Sequence, residues 1–311
     1  MANSNFNVDV VGTGFTVLDR IYADGALADE ALGGSCGNVL VSLAMLHRHV
    51  APVIALGDDD TGESLVKEFA EAGALIDYIT RYNGLRSPIV SQQLDTGKGT
   101  HRFSFVCPET HQQLPRYKAI SVEDLNSALP VLAHCSVFYS DRISSSIVVA
   151  MRMAKAAGAI VFFEPSAFEE GSLFNEAIGL ADILKYSEDR LGKWLADLKA
   201  DLIRIVTHGA AGLEVCDRSG AYWLNAIEAP RVLDTCGSGD MVSVGIIDWM
   251  LSNDTINVCS SATELLQGVI AGQRLAAANC AFAGARGLFK ARGANYARQI
   301  LLEKPYKPGR E

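Results

Sequence analysis

Four familiar signals are missing from this sequence, and each absence argues against a class of function. No two of its seven cysteines, at 36, 107, 135, 216, 236, 259 and 280, form a CxxC pair. An odd, widely spaced set argues against a disulfide framework or a zinc site, and the residues read as small buried thiols in a reducing cytosol. There is no basic excess: the formal net charge is −9, so nucleic acid and anionic membrane are poor partners, and any anion must be held locally by helix ends or a few Lys and Arg. No stretch reaches the roughly 18 uninterrupted apolar residues of a membrane span. The N-terminal MANSNFNVDVV lacks the basic start and long apolar run of a signal peptide. A soluble, cytoplasmic protein is expected.

What is present is an alternation of two textures. With 311 residues, 49% of them hydrophobic, the chain is long enough to bury a sizeable core without metals or disulfides. VDVVGTGFTVLD reads as a buried strand, a glycine-permitted turn and an extended piece ending at Asp19. RIYADGALADEALGG is small, polar and glycine-punctuated. SCGNVLVSLAMLHRH places Val39, Leu43 and Leu46 at helical spacing, so a helix should start between Gly34 and Asn38. PVIALG reads as one strand, and DDDTGESLVKEFAEAG as a turn into an amphipathic helix ending at Gly73. RSPIVSQQLDTGKGTHRFSFV and EVCDRSGAYWLNAIE carry hairpin signatures. SVFYSD, AIVFFEPS, ADILKYS and IRIVTHG read as further strands, with helices ahead of AIVFFEPS and between the last two, and ATELLQGVIAGQRLAAANCAFAGARG as a long helical region. Strands alternating with helices predict a three-layer α/β/α architecture around a mostly parallel sheet. One domain over residues 1–311 is expected, with β-rich lid inserts at about 15–34 and 86–113.

The glycine-rich stretch DTCGSGDMVSVG, Asp234 to Gly245, runs straight into a helix-like segment. Other glycine chemistries fit poorly. Gly12-Thr-Gly14 lacks the third glycine of a dinucleotide fingerprint, since position 17 is Val. No Walker A loop, GxxxxGK[ST], occurs, and the serine of CGSGD lies one residue from each glycine where a nucleophile elbow needs two. Amides of a glycine loop at a helix start do make an anion site, aided by the helix dipole. A carboxylate beside that anion cannot serve phosphate affinity, because like charges repel. Asp240 therefore reads either as a base taking a proton from a hydroxyl during phosphoryl transfer or as an ordinary first-turn acid. The stretch alone leaves both readings open.

DTCGSGD resembles the DTxGAGD signature of the ribokinase-like (PfkB) carbohydrate kinases, with Ser238 where alanine is usual. GGSCGN, Gly33 to Asn38, is similar to that family's GGxxxN substrate loop; GDDDTGESL resembles its G-D-D-x-x-G segment, and GFTVLDRI its first strand. Order and separation agree along nearly the whole chain. The resemblance implies a ribokinase-like (Rossmann-like) fold and an ATP-dependent kinase that moves the γ-phosphoryl to a hydroxymethyl group of a sugar or nucleoside. By position it makes Asp240 the base, the amides of Cys236, Gly237, Ser238 and Gly239 the anion hole, and Asp19, Gly33, Gly34 and Asn38 the acceptor site. Thr207, Gly209 and Gly212 resemble the TxGxxG segment along the nucleotide, and Ala276, Asn279 and Gly284 fall in the region that borders adenine. ATP and Mg2+ are the implied cofactors, with a monovalent cation as an optional third, and the lid allows a homodimer.

The departures are as informative. In ILKYSEDR, Ser187 and Arg190 stand where an NxxE motif has Asn and Glu, leaving Glu188 and Asp189 as neighbouring acids and Glu188 as the candidate metal ligand. FFEPSAF replaces D-P-N-x-R; its missing Arg, with no Lys in GGSCGN, argues against an already phosphorylated acceptor. Phe15, Arg102 and Phe103 are positions that would read the acceptor's hydroxyls. An alternative is a ribokinase-like protein that binds nucleotide or sugar in a regulatory role with weak or no catalysis.

Overall fold

Valine-rich β1 (Val8–Thr13) sends Val10 to one face of a sheet and Val11 to the other, as successive residues of a strand must. Both faces are covered, so the strand reads as an apolar run rather than an alternation. The structure, a computed structural model, describes residues 8–303 apart from 24, 96–99, 197, 199 and 254–260.

Chain order continues with β2 (Val17–Ala23), β3 (Ala26–Gly33), α1 (Ser35–Met45), β4 (Val50–Pro52), β5 (Ile54–Gly57), α2 (Asp60–Ala72), β6 (Ile79–Tyr82), β7 (Ile89–Asp95) and β8 (Thr100–Ser104). Then come α3 (Val122–Leu132), β9 (Cys135–Ser140), α4 (Ser145–Ala156), β10 (Ile160–Phe163), α5 (Ser172–Leu180) and β11 (Ile183–Ser187). After a π turn (Glu188–Gly192), α6 (Lys193–Leu195), β12 (Ile203–Thr207), β13 (Gly212–Asp217), β14 (Gly220–Asn225), α7 (Ser238–Ser252), α8 (Ala262–Asn279) and α9 (Gly287–Leu302) complete the described chain.

The main sheet runs β14-β13-β12-β11-β10-β9-β1-β4. Its six strands from β12 to β4 are parallel, and the hairpin β13–β14 adds an antiparallel edge. Residues of α1, α2, α7, α8 and α9 pack into the core on one face, and those of α3, α4 and α5 into the core on the other. This is the ribokinase-like three-layer arrangement, and it fixes where chemistry can occur. In such sheets ligands sit beyond the carboxyl ends of the strands; here Arg142 and Glu164 follow β9 and β10, Thr207 ends β12, and Lys185 lies within β11.

A second sheet, β3-β2-β7-β8, is built from both segments read as inserts and is called the lid below. The stretch from Arg20 to Gly34, read as small and polar, forms most of its β2–β3 hairpin. Its strand signal is weak because Ala26–Glu30 lie exposed on the sheet's edge, and only Leu32 and Gly33 turn inward with Ala31. The turn expected at DTGKG falls on residues 96–99, outside the described residues, but β7 and β8 pair antiparallel on either side of it. PVIALG is two strands, not one. β4 pairs with β1 as far as Pro52, whose ring nitrogen has no N–H to continue a ladder, and β5 pairs instead with β6. The long helical region is likewise broken after Asn279, into α8 and α9.

Candidate active site

The N-termini of α1 and α7 open on one cavity of about 500 Å³ between the main sheet and the lid. Gly34, Ser35 and Asn38 come from α1 and its cap, Thr235 to Asp240 from α7 and the loop before it, and Asp19, Val90, His101 and Phe103 from the lid. Gly34 caps α1 at φ 79°, and a side chain there would run into the Phe15 carbonyl. Gly237 caps α7 at φ 72°, and a Cβ would lie 2.5 Å from that of Ala285. Both caps thus occupy the left-handed region that glycine alone enters without strain.

Asn38 and Asp240 stand 202 residues apart in sequence and are joined directly: Asn38 Nδ2 donates to Asp240 Oδ2 at 2.8 Å. The Asn38 Oδ1 is buried with no partner among the described residues. Burial pushes the Asp240 carboxyl up to about 6, Glu164 adds to the rise, and the Asn38 hydrogen bond and Lys185 oppose it. Asp19 is 6% exposed. Its burial raises it to about 7 against the pull of Arg286, with Asp240 pushing the same way as burial. Its carboxylate lies over Gly33, where a Cβ would fall 1.9 Å from Oδ2. Gly33 therefore acts by leaving room for Asp19, not by lining the cavity.

The loop before α7 is narrower as an anion site than the sequence implied. The Cys236 amide donates to Asp234 Oδ1 at 2.9 Å, and the Ser238 amide to the Thr235 carbonyl at 3.2 Å. Among the described residues the amides of Gly237 and Gly239 have no such partner, so two of the four expected N–H groups are left unpaired there.

Three further residues enter the site that the sequence reading did not single out. Lys185 is 2% exposed, ion-pairs with Glu164, and has its ammonium 3.6 Å from where a Cβ of Gly239 would stand. Glu164 Oε2 also accepts from Tyr139 Oη at 3.0 Å and from Ser243 Oγ. Arg142 stacks over the Phe15 ring at 4.4 Å, and its Nη1 donates to Asp141 Oδ2 at 3.0 Å and Ser166 Oγ at 2.7 Å. Asp141 is buried, which lifts it to about 7 despite Arg142 and the hydrogen bond from the Phe15 amide. A signal existed for Glu164 and Lys185, since both lie in segments that depart from the family pattern. Arg142 sits in an unremarkable strand end.

Other expected positions divide. Thr207, Phe15 and Phe103 line the cavity, as do Ser187 and Arg190 of the altered NxxE segment; Arg102 is not among the lining residues. Gly209 and Gly212 do not line it either. Gly212 is held by its hairpin, because a Cβ would lie 2.2 Å from the Leu224 carbonyl. Asn279 is buried and occupied: Nδ2 donates to the Gly284 and Ala285 carbonyls, while Oδ1 accepts from the Leu288 amide. Its side chain clamps the turn from α8 to α9, and it is not among the residues that line the cavity. Glu188 is exposed in the π turn with its carboxylate over Gly192, and it too lies outside the lining residues. Among the described residues no three His, Cys, Asp or Glu side chains converge on a metal site, and no helix is long and apolar enough to cross a membrane.

Comparison with known proteins places this geometry. The sequence pattern of the pfkB family carbohydrate kinases matches residues 28–288. A fructokinase of Vibrio alginolyticus is 26% identical over 258 residues, 76% of this chain and 81% of that protein. The fold matches a fructokinase of Xylella fastidiosa with bound ATP at a TM-score of 0.71, with 23% identity over 93% of this chain and 98% of that one. It matches Arabidopsis thaliana ribokinase complexed with ribose and ATP at 0.71, with 16% identity over 96% and 100%. An adenosine kinase of Sinorhizobium meliloti superposes at 0.69, with 19% identity over 94% and 99%. With the family pattern covering most of its length and the fold following, this chain belongs to the pfkB family of carbohydrate kinases, phosphotransferases that act on a hydroxyl group.

Proposed function

We propose that the chain transfers the γ-phosphoryl group of ATP to a primary hydroxyl of a neutral sugar or nucleoside, with Asp240 as the general base. The observation that carries this reading is the convergence of Asp240, Lys185 and the Gly237 and Gly239 amides on one cavity that Asp19 and Asn38 also line. The acceptor lies between Phe15, Phe103 and Phe105, with Asp19 and the unpartnered Asn38 Oδ1 taking hydroxyl protons and the Arg142 fork donating to oxygen. Asp240, ionised above about pH 6, removes the proton of the reacting hydroxyl as its oxygen attacks phosphorus. Free amides at the α7 N-terminus, with Lys185 beside them, meet the charge on the transferring group.

A nucleotide fits this donor set, since at Gly239 no side chain stands between the loop and the cavity-lining Lys185 ammonium. Magnesium also fits, held chiefly by the phosphates and water rather than by a protein cage; it would neutralise phosphate charge. Among the described residues that line the acceptor half, Asp19 and Asp240 face the cation Arg142, which Asp141 already pairs. That balance favours an uncharged acceptor over a phosphorylated one.

Ser187 and Arg190 in the cavity wall favour a second reading, a nucleotide- or sugar-binding protein with weak catalysis. Measuring ATP consumption over pentoses, hexoses, ketoses and nucleosides separates the two. Turnover on one neutral acceptor supports the kinase reading; nucleotide binding without turnover on any of them overturns it.

A further inference from the structure

Asp234, the first residue of the DTCGSGD loop, is fully buried, and four donors surround its carboxylate. Oδ1 accepts from the Cys236 amide at 2.9 Å and lies 3.1 Å from His101 Nδ1. Oδ2 accepts from Gln92 Nε2 at 3.2 Å and from the Gly284 amide at 2.8 Å. A carboxylate has about four acceptor positions, so this one is saturated. Two donors come from the main body, one from the loop itself and one from the turn after α8. The other two come from adjacent lid strands, Gln92 from β7 and His101 from β8. Gln92 makes a second connection, its Oε1 lying 3.5 Å from Cys236 Sγ. His101 is held by an edge-on contact with Phe103 at 4.9 Å, and both rings line the cavity.

A buried charge with half its hydrogen bonds removed is costly. Lifting the lid would strip Asp234 of both side-chain donors at once and leave only backbone amides. The same carboxylate oxygen that meets His101 fixes the Cys236 amide, and that bond sets the turn from which Gly237 and Gly239 present their free N–H groups. We propose that Gln92 and His101 are positioning residues: through Asp234 they hold the anion loop in its phosphate-receiving conformation while the lid is seated, so that lid and loop order together. The inference rests on the phosphate-receiving role read for that loop, and concerns what controls it.

Hydrogen exchange on the full chain, resolved by mass spectrometry, tests this without any acceptor. In the nucleotide-free protein, Gln92→Ala and His101→Ala should each raise exchange of the hydrogen-bonded Cys236 and Ser238 amides about tenfold, an ordinary size for coupling between sites, while β9 to β12 stay as protected as before. His101→Gln, which keeps an N–H donor, should return loop exchange towards wild type. Affinity for a non-hydrolysable ATP analogue with magnesium should weaken about tenfold in the two alanine variants and recover in His101→Gln. Faster exchange confined to the lid, with the loop unchanged, overturns the proposal, as does loop exchange that ignores the donor at 101. If wild type binds no analogue, the kinase reading fails while the exchange result still decides whether lid and loop are coupled.

Discussion

Replacing Asp240 by asparagine should move catalysis and stability in opposite directions. The carboxyl titrates near about 6 in the fold instead of 3.8, so the folded chain binds an extra proton between those values. Its stability must therefore fall as pH rises through that window, where the unfolded chain has already released the proton. At about 1.36 kcal/mol per pH unit, ionised Asp240 costs the native state on the order of 3 kcal/mol at neutral pH. Asparagine removes that cost and keeps the contact with Asn38, since its amide oxygen accepts the same N–H. The variant should thus melt higher than wild type at pH 7.5, at roughly 2–4 °C per kcal/mol for a chain of this size, and the difference should vanish towards pH 4. Turnover should fall about 10²- to 10⁴-fold with loss of the base. Wild-type kcat/KM should rise with pH up to about 6 and then level off. Steady-state ATP consumption and thermal melts at several pH values give both readings from one preparation. Turnover within tenfold of wild type, or a lower neutral-pH melting temperature, would refute the reasoning.

Gly237→Ala forces an L-residue to φ 72° against Ala285; denaturant unfolding should show a loss of more than about 1–2 kcal/mol, and KM should rise for ATP more than for the acceptor. Lys185→Met leaves the partly buried Glu164 without its cation, so stability should drop by about 3 kcal/mol and kcat should fall at least tenfold. Glu164→Gln with Lys185→Met should regain most of the stability but not the turnover, which separates pairing from catalysis in a double-mutant cycle. Arg142→Met should raise the acceptor KM about tenfold or more, the worth of a charged hydrogen bond, with the ATP KM unchanged; an unaltered acceptor KM would remove Arg142 from the acceptor site.

Much of the fold was legible because local rules were obeyed. The valine-rich β1 run, the Gly73 stop of α2 and the DRSG turn of the β13–β14 hairpin each announce their element. The misreadings share a cause, which is that a neighbour rather than the segment decides the outcome. Ala26–Glu30 form a strand only because β2 pairs with them, and PVIALG divides because two sheets compete for it.

For the site, the sequence by itself determined the chemical parts: a glycine loop at a helix start, an acid on its first turn, a second glycine loop far upstream. Those are properties of short stretches, whose backbone freedom and charge travel with the residues. Only the tertiary structure decided which parts meet. It joined Asn38 to Asp240 across 202 residues, turned Asn279 into a clamp, left Glu188 outside the cavity, and brought in Arg142 from beyond β9 and Lys185 from within β11. It also reduced four candidate amides to two, because Asp234 and Thr235 claim the others. Hydrogen-bond partners and burial are set by chain segments that sequence spacing does not bring together, and they decide how each residue titrates and what it can touch.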